Sequence, residues 1–197
     1  AKSTPYHAWR PVFEQIFGLN TIVDDPAIRR NHIRSRLETL IAAREDATIA
    51  DGAIPWERLL PLIDAVLPLD WPQNELTAQM TGKVRADNTH DLLIAVLQAV
   101  VCSGRDDRCG GVLVLDDIHL FDSASWMLAH LVARRVQPLL LVLLSRPVST
   151  IQSEIKQLLS LPSAQKISLT GITREDTAIF LGQALNATDV PDMLIDF

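Results

Sequence analysis

Cysteine and tyrosine are scarce in this chain, and long apolar runs and basic blocks are missing. Two cysteines in 197 residues, Cys102 and Cys109, are too few for a disulfide scaffold, and their spacing matches no common zinc pattern. They read as reduced thiols flanking a polar loop, with a bridge across that loop left open. No apolar run reaches the roughly 20 residues that span a bilayer, and no signal peptide is visible. The expectation is therefore a cytoplasmic chain with no membrane partner. The formal net charge is −6. Arg29, Arg30, Arg34, Arg36 and Arg44 cluster, but Glu38, Glu45 and Asp46 are interspersed, which describes a solvated helix face and argues against nucleic acid. A phosphate-binding loop is also missing. Gly82-Lys83 invites that reading, but no glycine lies five residues earlier, Val84 stands where Ser or Thr is needed, and no strand precedes it. Lys83 reads as a loop lysine. Internal repeats and low-complexity segments are absent. Ala1, with no initiator Met, points to a piece excised from something larger.

What is present is an ordinary globular composition, 48% apolar with mixed charges, enough for one large domain or a domain and a half. Its organising stretch runs from Gly110 to Trp126. Val112–Leu115 is a four-residue apolar run with β-branched members, bounded by two glycines and two aspartates, as in a strand buried on both faces of a parallel sheet. Asp116 and Asp117 then fall at the carboxyl end of that strand, where open α/β sheets bind ligands. Asp122 or Ser123 caps a helix starting near Ala124. A second apolar run, Leu139–Leu144, ends in Ser145-Arg146-Pro147 and brings a hydroxyl and a guanidinium to the same sheet edge. The plain alternatives are ordinary turn chemistry for the aspartates and a solvated arginine at a strand end.

Along the chain, Trp9, Val12, Phe13, Ile16 and Phe17 recur at helical spacing and Gly18 stops the helix. That aromatic stripe reads as core rather than a base-stacking platform. Asp25-Pro26 starts a helix to about Glu45, burying Ile28, Ile33, Leu37, Leu40 and Ile41, with His32 at or near the surface. Pro55 opens a shorter helix, Trp56–Leu67, with a kink expected at Pro61. Pro68–Asn88 is the least regular part. A helix from about Asn88 to Cys102 turns Leu92, Leu93, Val96, Leu97, Val100 and Val101 inward. After the central strand, a helix lined by Trp126, Leu128, Leu131 and Val132 ends at Arg134-Arg135. A helix near Ile151–Ser160, a short strand at Lys166–Leu169, a helix Arg174–Leu185 capped by Thr173 with Asp176 in a capping-box variant, and a last helix from near Asp189 complete the chain.

Val112–Trp126 resembles the Walker B segment of P-loop ATPases of the STAND/AAA type, and Leu139–Pro147 resembles their sensor strand. Thr4–Phe13 is similar to the segment after the second strand in ATPase modules attached to class III (soluble-type) adenylyl cyclases. Asn88–Leu93 and Leu169–Ile172 fit the same pattern. The resemblance covers nearly the whole chain. It implies a three-layer α/β fold, a parallel sheet flanked by helices, here incomplete because the P-loop strand would lie upstream of Ala1. Residues 1–105 would form a helix-rich segment, 106–172 the core strands, and 173–197 the start of a helical lid. In that fold the P-loop strand runs between the strands corresponding to Leu139–Leu144 and Lys166–Leu169. Without it those two either collapse together or order only within a parent protein.

The resemblance also implies a site. Asp116 would help hold Mg²⁺, usually through water, and Asp117 would orient or deprotonate the attacking water. Ser145 and Arg146 would sense the terminal phosphate of ATP, Arg146 stabilising the transferring group. His119 and Asp122 would orient their neighbours. Many AAA relatives carry Glu where Asp117 stands, and the shorter side chain puts fast hydrolysis in doubt. The implied function is a Mg-ATP-dependent regulatory switch in a multidomain signalling protein, its partners the effector domains of the same polypeptide and other copies of itself. Two rivals stand beside it. One is a degenerate, non-hydrolysing scaffold that acts through protein contacts. The other is an unrelated metal hydrolase using Asp116, Asp117 and His119, although three residues within four positions offer few independent directions for ligation.

Overall fold

The computed structural model describes residues 5–42, 48–49, 54–102, 110–147, 153–187 and 190–195. It is a mixed α/β structure rich in helix. The chain divides into two compact units, Ala1–Leu158 and Leu159–Phe197.

The first unit begins with a 3₁₀ turn, His7–Trp9, that runs into helix α1, Arg10–Phe17. Pro11 sits in the first turn, where its missing N–H costs nothing, and Gly18 closes the helix at φ 64°, a left-handed cap open to glycine. Helix α2, Pro26–Ala42, starts where expected. The Asp25 carboxylate accepts the N–H groups of Ala27 and Ile28 at 2.8 and 2.9 Å. Ile33, Leu37 and Leu40 are buried, but Ile28, one turn earlier, is exposed. The expected burial of Ile41 and the helix beyond Ala42 lie outside the described side chains or residues. Two short strands, β1 (Thr48–Ile49) and β2 (Ile54–Pro55), pair antiparallel, a hairpin the sequence patterning did not suggest.

Trp56–Ala65 is a 3₁₀ helix throughout rather than a kinked α-helix, with Pro61 inside it and Trp56, Leu59, Leu60, Leu62 and Ile63 buried. Pro61 has no N–H to donate, so a regular α-helical ladder is interrupted at that point. The short helix α3, Glu75–Gln79, carries a reciprocal capping box between Asn74 and Thr77. Helix α4 spans Gly82–Val101, six residues earlier than the sequence suggested. Lys83, expected in a loop, lies in its first turn and pairs with Asp87 at i+4, while Arg85 donates to the Thr77 carbonyl at 2.8 Å. These local pairs hold a polar first turn that no apolar periodicity marks. Farther along, Ile94 is buried and Val100 only partly so.

The parallel sheet in this unit consists of β3 (Gly111–Leu115) and β4 (Leu139–Leu143), in register from Gly111↔Leu139 to Leu115↔Leu143. Helix α5, Ser123–Arg135, forms the crossover between them. The expectation of strands buried on both faces fails here. Val112 and Val114 are 67% and 53% exposed and Leu140 is 60% exposed, whereas Leu115 is buried. On β3, Gly111, Leu113 and Leu115 share one face and are partly or fully buried, whereas Val112 and Val114 on the other face meet solvent. The core lies among the helices instead, where Trp9, Phe13, Phe17, Leu37, Leu59, Leu92 and Leu128 are all but inaccessible. Helix α6, Ser153–Leu159, follows β4; the expected residues Ile151 and Gln152 are outside the description.

In the second unit, α7 (Arg174–Leu185) is capped as foreseen. The Thr173 side chain accepts from the Asp176 N–H, and Asn186 ends the helix in the left-handed region. Helix α8, Asp192–Ile195, begins slightly later than expected. Lys166–Leu169 forms no strand. Its apolar residues, Ile167 and Leu169, are exposed, and among the described residues no strand lies alongside to take its backbone hydrogen bonds. Neither unit contains, among the described residues, a helix long and apolar enough to cross a membrane.

Candidate functional site

The parallel ladder continues past the ends of β3 and β4. Leu144 N–H donates to Leu115 O at 2.9 Å and Ile118 N–H to Leu144 O at 3.0 Å. Between those two bonds the chain must turn, and Asp117 does so at φ 50°, ψ 38°. Aspartate is among the few residues that tolerate this left-handed conformation. The turn feeds a 3₁₀ segment, Ile118–Leu120, with Ile118 buried beneath it. Asp116 is exposed at the strand end and accepts the Asp117 N–H at 2.6 Å.

Asp117 gathers two of the other candidates. Its Oδ1 lies 3.7 Å from His119 Nδ1 and 3.8 Å from Arg146 Nε. Both distances exceed a hydrogen bond, and Arg146 is largely exposed, so these contacts orient charge without binding it tightly. His119 Nδ1 is buried without a hydrogen-bond partner among the described residues. Ser145 is turned away. Its hydroxyl donates to the Arg146 carbonyl at 2.9 Å.

Asp122 is the most heavily used carboxylate of the group. Oδ1 accepts the Ser125 N–H at 3.0 Å and the Tyr6 N–H at 3.4 Å, and Oδ2 accepts the Ser125 hydroxyl at 2.6 Å. Burial would raise its pKa, but the bonds from Ser125, Tyr6 and Ala124 outweigh burial and hold it below the ordinary carboxylate value. It thus both caps α5 and ties the N-terminal segment to that cap. Trp9 repeats the tie, its indole N–H donating to Ser125 O at 3.1 Å. Tyr6 OH lies 2.9 Å from His90 Nε2 on α4, with the rings edge to face. Burial first, and the Asp122 charge second, push the Tyr6 hydroxyl up to about 12. It therefore stays protonated at neutral pH.

These ties create a pocket of about 320 Å³ lined by His7, Ala8, Asp116, Asp117, Leu120, Phe121 and Asp122. Three of the aspartates singled out in the sequence meet there. His7 and Ala8, more than a hundred residues away in sequence, form part of the wall. Their role could not be read from spacing; the one available signal was that they fall inside the Thr4–Phe13 segment. Carboxylate oxygens suit a hard cation such as Mg²⁺, and the exposed Asp116 at the strand end can take one through water. Among the described residues no three His, Cys, Asp or Glu side chains converge to cage an ion. That donor set fits an ion sharing its shell with water and a ligand's oxygens, not a closed structural site. Comparison with protein-family models, with curated proteins and with solved structures finds no match for this chain.

Proposed function

We propose that this chain is part of an ATP-binding module of the STAND/AAA type, a Mg-ATP-dependent switch within a cytoplasmic multidomain signalling protein of adenylyl cyclase-like organisation. One observation carries the reading. An acidic pair ends the parallel strand β3, and the extension of the neighbouring parallel strand β4 brings Arg146 to 3.8 Å from the second acid. Such a sheet edge is where α/β folds bind phosphorylated ligands. In this reading the two strands belong to a three-layer P-loop sheet whose phosphate-binding loop is supplied by sequence upstream of Ala1.

Asp116 would hold the ion, which when bound draws charge off the phosphate oxygens. Asp117, fixed by its left-handed turn and flanked by His119 and Arg146, orients the attacking water. Arg146 is long and exposed enough to swing to the terminal phosphate, and Ser145 reaches a ligand only by giving up its bond to the Arg146 carbonyl. The reach of an aspartate is shorter than that of a glutamate by one methylene, so hydrolysis is slow and binding, rather than turnover, sets the state of the switch.

A second reading, a scaffold that acts only through protein contacts, draws on the exposed apolar side chains of Val112, Val114 and Leu140. Titration with Mg-ATP separates the two. In a polypeptide extended upstream to include the phosphate-binding loop, the switch requires binding that Asp116→Asn weakens in the presence of Mg²⁺; the scaffold requires no binding at all.

A further inference from the structure

His7 is the one polar side chain in the pocket that is not a carboxylate. The other three, Asp116, Asp117 and Asp122, present only acceptor oxygens when ionised. Asp122 has committed both of its oxygens to Ser125 and Tyr6. A polyphosphate brought against Asp116 and Asp117 therefore meets like charge, and needs N–H donors in addition to its metal ion. His7 is placed to supply one. Its side chain is exposed, and among the described residues it makes no hydrogen bond or ion pair.

The backbone on either side is nonetheless held firmly. Tyr6 is tied to Asp122 and His90, and Trp9, wholly buried, is tied to Ser125. The clamped turn fixes where the His7 side chain leaves the backbone at the pocket wall, and its unpartnered ring is free to turn toward a ligand there.

We propose that His7 is a further ligand-contacting residue of this site, donating a ring N–H to the terminal phosphate of the bound nucleotide. The proposal rests on the Mg-ATP reading above and adds a residue from the N-terminal segment of the pocket wall. Arg146 contacts Asp117 from the β4 side, so the two cationic or N–H-bearing groups would approach the terminal phosphate from separate elements.

The test is calorimetric titration of Mg-ATP and of Mg-ADP into the full-length protein in four forms: wild type, His7→Ala, His7→Gln and Asp116→Asn. Thermal unfolding is followed in parallel, and because His7 and Asp116 are both exposed all three variants should melt with wild type. The expected result is about a tenfold weaker affinity of His7→Ala for Mg-ATP, the size of one hydrogen bond to a charged group. Affinity for Mg-ADP should be unchanged, and His7→Gln, which keeps a side-chain N–H, should recover most of the loss. If His7→Ala binds both nucleotides as wild type does while Asp116→Asn is impaired, His7 has no such role and the Mg-ATP reading stands. An equal loss for both nucleotides also overturns the contact to the terminal phosphate. If wild type binds neither nucleotide, the proposal and the reading beneath it fail together.

Discussion

Tyr6 and His90 show how single residues far apart in sequence shape this molecule. His90 is buried on α4, and desolvation lowers its pKa below the ordinary 6.5; Asp87 and Asp91 raise it and Arg135 lowers it further, but burial dominates. The neutral ring shares a hydrogen bond with the Tyr6 hydroxyl. A depressed folded-state pKa means that the unfolded chain binds more protons between that value and 6.5, so stability rises with pH across the window. The contribution is complete above pH 6.5 and is lost as pH falls toward the folded-state value. Urea midpoints from pH 7.5 to 4.5 should fall more steeply for wild type than for His90→Gln, and equal slopes would contradict this account. Tyr6→Phe should cost about 1–2 kcal/mol at neutral pH, because it leaves the buried His90 Nε2 unpaired. Asp122→Ala, which removes the α5 cap and the tie to Tyr6, should likewise cost about 1–2 kcal/mol in chemical denaturation. Wild type's advantage over that variant should shrink as pH falls through the lowered pKa of Asp122. The cap itself was legible in the sequence, from an Asp and a Ser ahead of an apolar helix. The tie was not, since nothing local links Tyr6 to positions 90 and 122.

Among the elements, the helices were the easiest to foresee and the sheet the hardest. α1, α2 and α5 announce themselves through apolar residues at helical spacing, and these three and α7 through Gly18, Asp25, Asp122 and Thr173 at their ends. Local chemistry fixes them. The start of α4 escaped because Gly82 reads as a break, and its polar first turn is stabilised by the Lys83–Asp87 pair, not by an apolar stripe. For β3 and β4 the type, the parallel pairing and nearly the bounds were legible, but not the burial. An apolar run says that a strand can be covered on both faces; only the packing decides whether it is. This difference is measurable. Val114→Thr should change stability by less than about 0.5 kcal/mol, as at other exposed positions. Leu115→Ala, at a buried position on the same strand, should cost about 2–4 kcal/mol. Comparable losses for both would mean that Val114 is covered in solution. Lys166–Leu169 failed as a strand for a related reason: β-propensity without a neighbour leaves backbone groups to water.

At the scale of the molecule, the buried apolar residues among those described all lie at or before Leu158, and no residue of α7 is buried. A chain ending at Leu158 should therefore unfold cooperatively within a few degrees of the parent chain, which differential scanning calorimetry would show. A loss of cooperativity would mean that residues 159–197 complete the core. The candidate site belongs entirely to the first unit. Its acidic pair and the arginine beside it were readable as a constellation, because strand ends and their following loops leave a sequence signature. The part of the wall formed by His7 and Ala8 was not. The central claim, that this sheet edge holds Mg-ATP, is tested most directly by titrating Mg-ATP into two polypeptides side by side: this chain, and one extended upstream to include the expected phosphate-binding loop, each also as Asp116→Asn. The account predicts binding by the extended form alone, weakened by the substitution when Mg²⁺ is present. Absence of binding by both would contradict it.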